Sequence, residues 1–378
     1  MGKKKLNVPD IPPRLAVPIV DNHTHIYPDP QAADGERLAG AQGAAGRESL
    51  VGKEKLADIQ DLGSGERPQP DSVSSTVQQL LTDDGKWRFP VLENNLISGM
   101  ERAGIRAAIT SGCEIPELES TLALAHRRSG TIFAALAIHP NEAVLHAGVR
   151  DVGPDGLAPQ PQAWHEEFSL AAAIERVADM ARDSAVLAVG ETGLDYFRTG
   201  DSGKEAQKEA FRAHIALAKE LNKPMQIHDR DAHADVVEIL LTQGAPERTV
   251  FHCFSGDAEL AAICAEHGWY ASFAGPITYH ANHALREAFM AMPPELILVE
   301  TDAPYLTPMP FRGHPNVPWG AAYTARFMAW LRFDAQAANV LAQGTAAQVQ
   351  AAAEGVSDDL VDRWCEQLGA NTRAVYGI

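Results

Sequence analysis

The segment VLAVGETGLDYF, residues 186–197, begins as a short valine-rich run and ends in Glu191, Gly193 and Asp195. An apolar run of that length, stopped by glycine and polar residues, reads as a buried strand. The stretch that follows, 204–222, carries apolar residues at helical spacing. The same unit recurs on both sides. Strands are expected near 17–21, 106–110, 132–138, 186–190, 224–227, 249–252, 269–273 and 296–300. Helices are expected near 91–103, 115–128, 168–183, 204–222, 231–243, 257–267 and 281–291. Eight strands alternating with helices imply a parallel sheet, and eight is the number that closes a (β/α)8 TIM-type barrel.

Residues 1–378 read as a single barrel domain with two departures from this rhythm. Residues 28–85, rich in Gly, Ala, Gln, Pro and charge, read as an insertion after the first strand. Residues 146–167 read as a long loop before a helix. The Ala-rich stretch 321–376 supplies extra C-terminal helices.

The 45% hydrophobic content supports a large core. No run approaches the ~20 uncharged apolar residues of a membrane helix. Lys3, Lys4 and Lys5 are followed by no apolar run, so no secretory signal is read and a cytoplasmic setting is expected. Four cysteines with no Cys-x-x-Cys pair suggest reduced thiols and argue against a cysteine-ligated zinc site. The net charge of −18 argues against a broad basic face gripping duplex nucleic acid. Carboxylates that bind divalent cations would neutralise part of it.

The chemistry-bearing residues gather where the strands end. They are Asp21-Asn22-His23-Thr24-His25, His139-Pro140, Gly190 to Tyr196, His228-Asp229-Arg230-Asp231, His252-Cys253 and Glu300-Thr301-Asp302. In a barrel these ends converge on one mouth. His23 and His25 are two apart on extended backbone, so both rings point toward one ion. Imidazole and carboxylate together suit zinc, manganese, iron or magnesium-like ions. A glutamate at the mouth can bridge two cations, and two cations can activate water and clamp a displacement. A lone histidine is more often structural than a ligand. Six residues at successive strand ends (His23, His25, Glu191, His228, His252 and Asp302) have no such bland explanation. His139 divides evenly between structural and functional readings. Gly190 and Gly193 read as turn residues, Asp195 as a cap or loop anchor, and Glu300 as a partner for a histidine or arginine. His214, His233, His267, His280 and His283 fall away from the strand ends, and most read as solvated or structural.

At these residues the sequence resembles the TatD family of metal-dependent hydrolases. The matching segments are DNHTHIY (21–27), AIHPNEA (137–143), VGETGLDYF (189–197), QIHDRDAHADVVEIL (226–240), FHCFSGD (251–257), SFAGPITY (272–279) and ETDAPYLTPMPFRGHPNVP (300–318), with NTRAVYG (371–377) at the end. The resemblance implies two divalent metal ions (Mg, Mn or Zn). His23 and His25 would hold one with Asp302, His228 and His252 the other, and Glu191 would bridge them. It implies Asp302 as general base and His139, Arg230 and Arg312 as substrate-binding residues, with Asn316 a further candidate. It implies a deoxyribonuclease trimming single-stranded or frayed DNA from the 3′ end. Tyr196, Phe197, Phe254, Tyr305 and Phe311 follow strand ends and are placed to stack a base. The sequence departs from the family in the long 28–85 and 146–167 segments, in His314 and in Trp319-Gly320. All of these flank the substrate mouth. Two alternatives stay open: a small-molecule amidohydrolase acting on an ester, lactone or amide, and an inactive metal-binding module that captures partners through 28–85. Oligomeric state and native metal are not read from the sequence.

Overall fold

The computed structural model describes residues 8–27 and 93–378; the insertion expected at 28–85 and the first residues of the helix expected at 91–103 lie outside them. Eight parallel strands follow in sequence order around one sheet. They are β1 Ile19–Thr24, β2 Ile105–Gly112, β3 Ile132–Leu136, β4 Val186–Asp195, β5 Met225–Arg230, β6 Thr249–Phe251, β7 Tyr270–Phe273 and β8 Ile297–Val299. Between them run α1 Glu93–Ala103, α2 Ile115–Arg127, α3 Pro140–His146, α4 Ala163–Glu167, α5 Leu170–Met180, α6 Lys204–Leu221, α7 His233–Gln243, α8 Ala258–His267 and α9 His283–Ala291. Four helices close the chain: α10 Gly320–Phe333, α11 Ala337–Gln343, α12 Ala346–Glu354 and α13 Asp358–Tyr376. All eight expected strands form, and the fold is the expected (β/α)8 TIM-type barrel.

Strand alternation divides the core into two layers. Val20, Ala107, Ile109, Ala135, Ala188, Val250 and Leu298 pack together inside the barrel. Their neighbours Ile19, Ala108, Ala134, Val189, Phe251, Ile297 and Val299 pack outward, in the cluster that contains the helices. Apolar side chains on both faces of the sheet suit a parallel sheet closed on itself and covered by helices. Closure between β8 and β1 is carried by polar groups. Thr301 donates from its backbone N–H (2.8 Å) and its hydroxyl (2.5 Å) to Asp21. Asn22 Nδ2 donates to Val299 O at 2.8 Å, and Asp302 N–H to His23 O at 2.9 Å. These bonds bring His23 and Asp302, at opposite ends of the barrel sequence, side by side.

Three differences from the sequence expectations matter for the site. Strand β4 runs on to Asp195, because Thr192, Gly193, Leu194 and Asp195 stay paired with Ile227 to Arg230 of β5. Glu191 therefore projects from a strand, not from a loop after one. Gly193 serves close approach and not a turn: at φ +142°, a Cβ there would meet His228 O at 2.0 Å. Helix α3 was not expected. Pro140 occupies its first turn and His139 caps it, Nδ1 accepting from Asn141 N–H at 3.1 Å. The long segment after α3 ends in the short α4 and folds back on β4, where Asp155 N–H donates to Phe197 O at 3.1 Å.

His214, on α6, is a structural residue with a measurable consequence. It is fully buried; Nδ1–H donates to Ala210 O (2.7 Å) and Nε2 accepts from Ile138 N–H (3.2 Å). Burial, against a small opposing effect of the Ala210 carbonyl, pulls its pKa down from 6.5 to about 4. Above pH 6.5 the ring is neutral in both the folded and unfolded chain and adds no pH dependence. Between 6.5 and 4 the unfolded chain takes up a proton that the folded chain refuses, so stability falls by up to about 3 kcal/mol. In metal-free protein, His214→Gln is expected to lose about that much less stability between pH 7.5 and 4, measured by urea unfolding. Equal losses in the two proteins would show that the buried ring is not the cause.

Candidate metal centre

The C-terminal strand ends carry His23 and His25 (β1 and just beyond it), Glu191 (β4), His228 (β5), His252 (after β6) and Asp302 (after β8) to one place. Glu191, fully buried, stands at its centre. Its Oε1 lies 3.4 Å from His25 Nε2. Its Oε2 lies 2.7 Å from His252 Nε2, 3.1 Å from His228 Nδ1 and 3.8 Å from His139 Nε2. Asp302 Oδ1 lies 3.3 Å from His25 Nε2 and 3.8 Å from His23 Nε2. The rings of His23 and His252 stack at 4.0 Å between centroids. Asp302 adopts a left-handed φ of +52°, a conformation in which Asp and Asn are enriched among residues with a side chain.

Partners behind the first ring of groups hold them in place. His23 Nδ1 meets Gln226 Oε1 at 2.9 Å; the Gln226 amide nitrogen donates to Asn22 O (2.7 Å) and to the Tyr376 hydroxyl (2.9 Å). The C-terminal helix α13 thereby reaches the site. His252 Nδ1 lies 3.4 Å from Glu300 Oε1, which also accepts Cys253 N–H at 2.7 Å. His228 Nε2 lies 3.2 Å from Asp195 Oδ2. Glu191 N–H donates to Ser111 Oγ at 3.1 Å, and Cys113 Sγ lies 3.7 Å from Glu191 Oε1.

Burial alone would lower the pKa of His252, but Glu191 and Glu300 outweigh it and push it up to about 10. His228 is likewise raised, because Asp195 and Glu191 outweigh burial. His23 goes the other way: burial and the neighbouring His252 hold it well below the ordinary range. Burial raises Glu300. Burial would also raise Asp195, but its hydrogen bond to His228 and the charge of that ring hold it well below the usual carboxylate range. The carboxylates therefore set up a negative potential at the histidine nitrogens, which favours any cation and not only a proton.

A divalent cation fits this arrangement. The buried His23 Nε2 and His25 Nε2 make no hydrogen bond, a costly state for a polar nitrogen unless something else meets it. Potential ligand atoms lie within 4.8 Å of one another in three groupings: His23, His25 and Glu191; His23, His252 and Asp302; His139, Glu191 and His228. Nitrogen and carboxylate donors match zinc, manganese or magnesium-like ions.

The expected substrate residues are distributed unevenly. His139 lies at the centre, its ring 4.6 Å from that of His228. Arg230 follows His228 on β5 and stacks over Phe197 at 4.0 Å. Arg312 stacks over Tyr279 at 4.5 Å. Asn316 is buried and spent on its own loop, donating to Thr301 O at 3.0 Å and accepting Val317 N–H at 2.9 Å. Of the five aromatics, Phe254 and Tyr305 are buried, Phe254 against Phe273. Tyr196 donates to Asp235 Oδ2 at 2.5 Å, and Phe311 packs on Tyr323. Tyr305 sets its ring edge-on to His25, 6.0 Å between centroids, and Phe197 lies beside Arg230. Sequence reasoning missed Gln226, Cys113 and the contact of Asp195 with His228. The alternation that points His228 into the mouth also points Gln226 inward and was the available signal for that residue.

The family model for TatD-related DNases matches residues 20–351. The chain is 38% identical over 241 residues to an uncharacterized metal-dependent hydrolase TatD of Mycobacterium tuberculosis, covering 63% of this chain and 82% of the relative. It is 32% identical over 248 residues to a protein of Enterobacter lignolyticus named a 3'-5' ssDNA/RNA exonuclease TatD, covering 62% of this chain and 83% of that one. In three dimensions it is similar to the TatD homologue YjjV of Escherichia coli, with a TM-score of 0.57 at 23% identity over 76% of this chain and 92% of the other. With the mouth of the barrel lined by imidazole and carboxylate, and with this match along most of its length, the chain belongs to the TatD family of metal-dependent hydrolases.

Proposed function

We propose that this protein is a deoxyribonuclease that trims single-stranded or frayed DNA from the 3′ end. We further propose that it works with two divalent cations (Mg, Mn or Zn) held by His23, His25, Glu191, His228, His252 and Asp302. The observation that carries the reading is the single buried carboxylate of Glu191, which faces His25 with one oxygen and His228 and His252 with the other. A carboxylate shared in this way suits two adjacent cations. When bound, such a pair would withdraw charge from phosphate oxygens and acidify the attacking water.

The rest is the work of the chain's own groups. Asp302, beside His25, accepts the proton of that water as general base. Glu191 keeps the two halves of the site together. Arg230, stacked on Phe197, offers paired donors to a phosphate oxygen. His139 and Arg312 supply further substrate contacts. The depth of the site, with Glu191 and His23 fully buried, favours one flexible strand end over an intact duplex. None of the four cysteines forms a disulfide, which agrees with a reducing, cytoplasmic setting, and no described helix is long and apolar enough to cross a membrane. The net charge of −18 favours the second reading, a small-molecule amidohydrolase.

The test is cleavage of a labelled single-stranded oligonucleotide with added Mg, Mn or Zn, against an ester and lactone panel. Stepwise shortening from the 3′ end is expected. Protein shown to hold metal that leaves DNA intact but hydrolyses a panel member would overturn the nuclease reading.

A further inference from the structure

The groups behind the histidines sort them into two kinds. His23, His252 and His228 each have an acceptor behind the ring: Gln226 Oε1, Glu300 Oε1 and Asp195 Oδ2. When the ring carries one proton, an acceptor there favours the outer nitrogen for it and leaves a lone pair on the nitrogen that faces the Glu191 or Asp302 carboxylate. His139 is the reverse. Its outer nitrogen accepts from Asn141 N–H, so its inner Nε2 carries the proton. Asn141 acts twice, because its side-chain Nδ2 also donates to Asp195 Oδ2 at 3.1 Å.

Asp195 is itself held in place from several sides. Its Oδ1 accepts Arg198 N–H at 3.0 Å. Its own backbone is clamped by Gln207, which accepts Asp195 N–H at 2.9 Å and donates to Asp195 O at 3.3 Å. Gln207 in turn donates to Thr199 Oγ1 at 2.7 Å. Asp195 and Gln207 are both buried. The carboxylate meets the His228 edge opposite the one that faces Glu191, so it is placed to orient the ring and not to ligate a cation with it.

We propose that Asp195 is a positioning residue for the metal centre. Its carboxylate holds His228 with the proton on Nε2, so that Nδ1 presents its lone pair to a cation shared with Glu191. The clamp from α3 and α6 makes the short β4–α6 connection, 196–203, part of the site rather than a passive loop. This rests on the reading that His228 is a ligand, but not on the substrate being DNA.

The test uses full-length protein and needs no turnover. In wild type freed of metal, 15N spectra at alkaline pH, where the ring carries one proton, are expected to show His228 protonated at Nε2. His228→Gln supplies the assignment. In Asp195→Asn the amide NH2 can face the ring and shift the proton to Nδ1. Titration with Mn2+ is then expected to show about 10- to 100-fold weaker binding at one site, with the metal-free unfolding midpoint little changed. A wild-type His228 protonated at Nδ1 would overturn the proposal, and so would Mn2+ binding by Asp195→Asn as tight as in wild type. If Asp195→Asn does not fold, the wild-type spectrum decides alone. Wild-type protein that binds no divalent cation would instead remove the reading on which the proposal rests.

Discussion

Asp302→Asn is expected to lower turnover about 100- to 10,000-fold, the usual contribution of a positioned general base, while leaving the barrel folded and much of its metal in place. The reasons lie in the local geometry. Asp302 Oδ1 faces His25 Nε2 at 3.3 Å and His23 Nε2 at 3.8 Å, so an amide oxygen in that position still offers a ligand atom. It no longer offers a base. The backbone change is small, because Asn tolerates the left-handed φ of +52° as Asp does, and the Asp302 N–H bond to His23 O does not depend on the side chain. The check is kcat on whichever substrate proves active, beside metal content by elemental analysis. A variant within tenfold of wild type would remove Asp302 from the base role. A variant stripped of metal would make it chiefly a ligand.

Glu191→Gln is expected to abolish double occupancy. Glu191 is fully buried and meets three ligand histidines, two through Oε2 and one through Oε1. Replacing the carboxylate with an amide removes one negative charge from a site where it interacts at short range and with little screening. It also turns one oxygen into an NH2 that repels a cation. Losing one charge-assisted contact costs on the order of 2–3 kcal/mol, so about 100-fold in affinity for the weaker-held cation follows. Calorimetric titration with Mn2+ is expected to show one site where wild type shows two. Two sites of unchanged affinity in the variant would show that Glu191 does not bridge.

The order of elements was legible because it rests on local rules. Val186–Val189 and its counterparts are short apolar runs separated by stretches with a helical period, which is the pattern of a parallel barrel. Glu191, His228 and Asp302 could be grouped because strand ends in a barrel converge. Helix α3 escaped notice because its seven residues are too few to show a period. It depends instead on Pro140 and on the His139 ring as a cap. Asn316 and Phe254 follow the same motif positions as true mouth residues. Only packing showed that they are turned inward.

What the sequence determined by itself was the barrel and the set of residues that gather at its mouth, because periodicity and strand ends are local properties of the chain. The tertiary structure decided what each side chain does there. Asp195 meeting His228, Gln226 meeting His23, and Cys113 meeting Glu191 are contacts between residues 33, 203 and 78 positions apart. Their direction depends on strand register and on the close approach of β4 to β5 at Gly193. Hydrogen bonds act over about 3 Å, so the role of a histidine as ligand or proton carrier is set by whichever group the fold brings behind its ring.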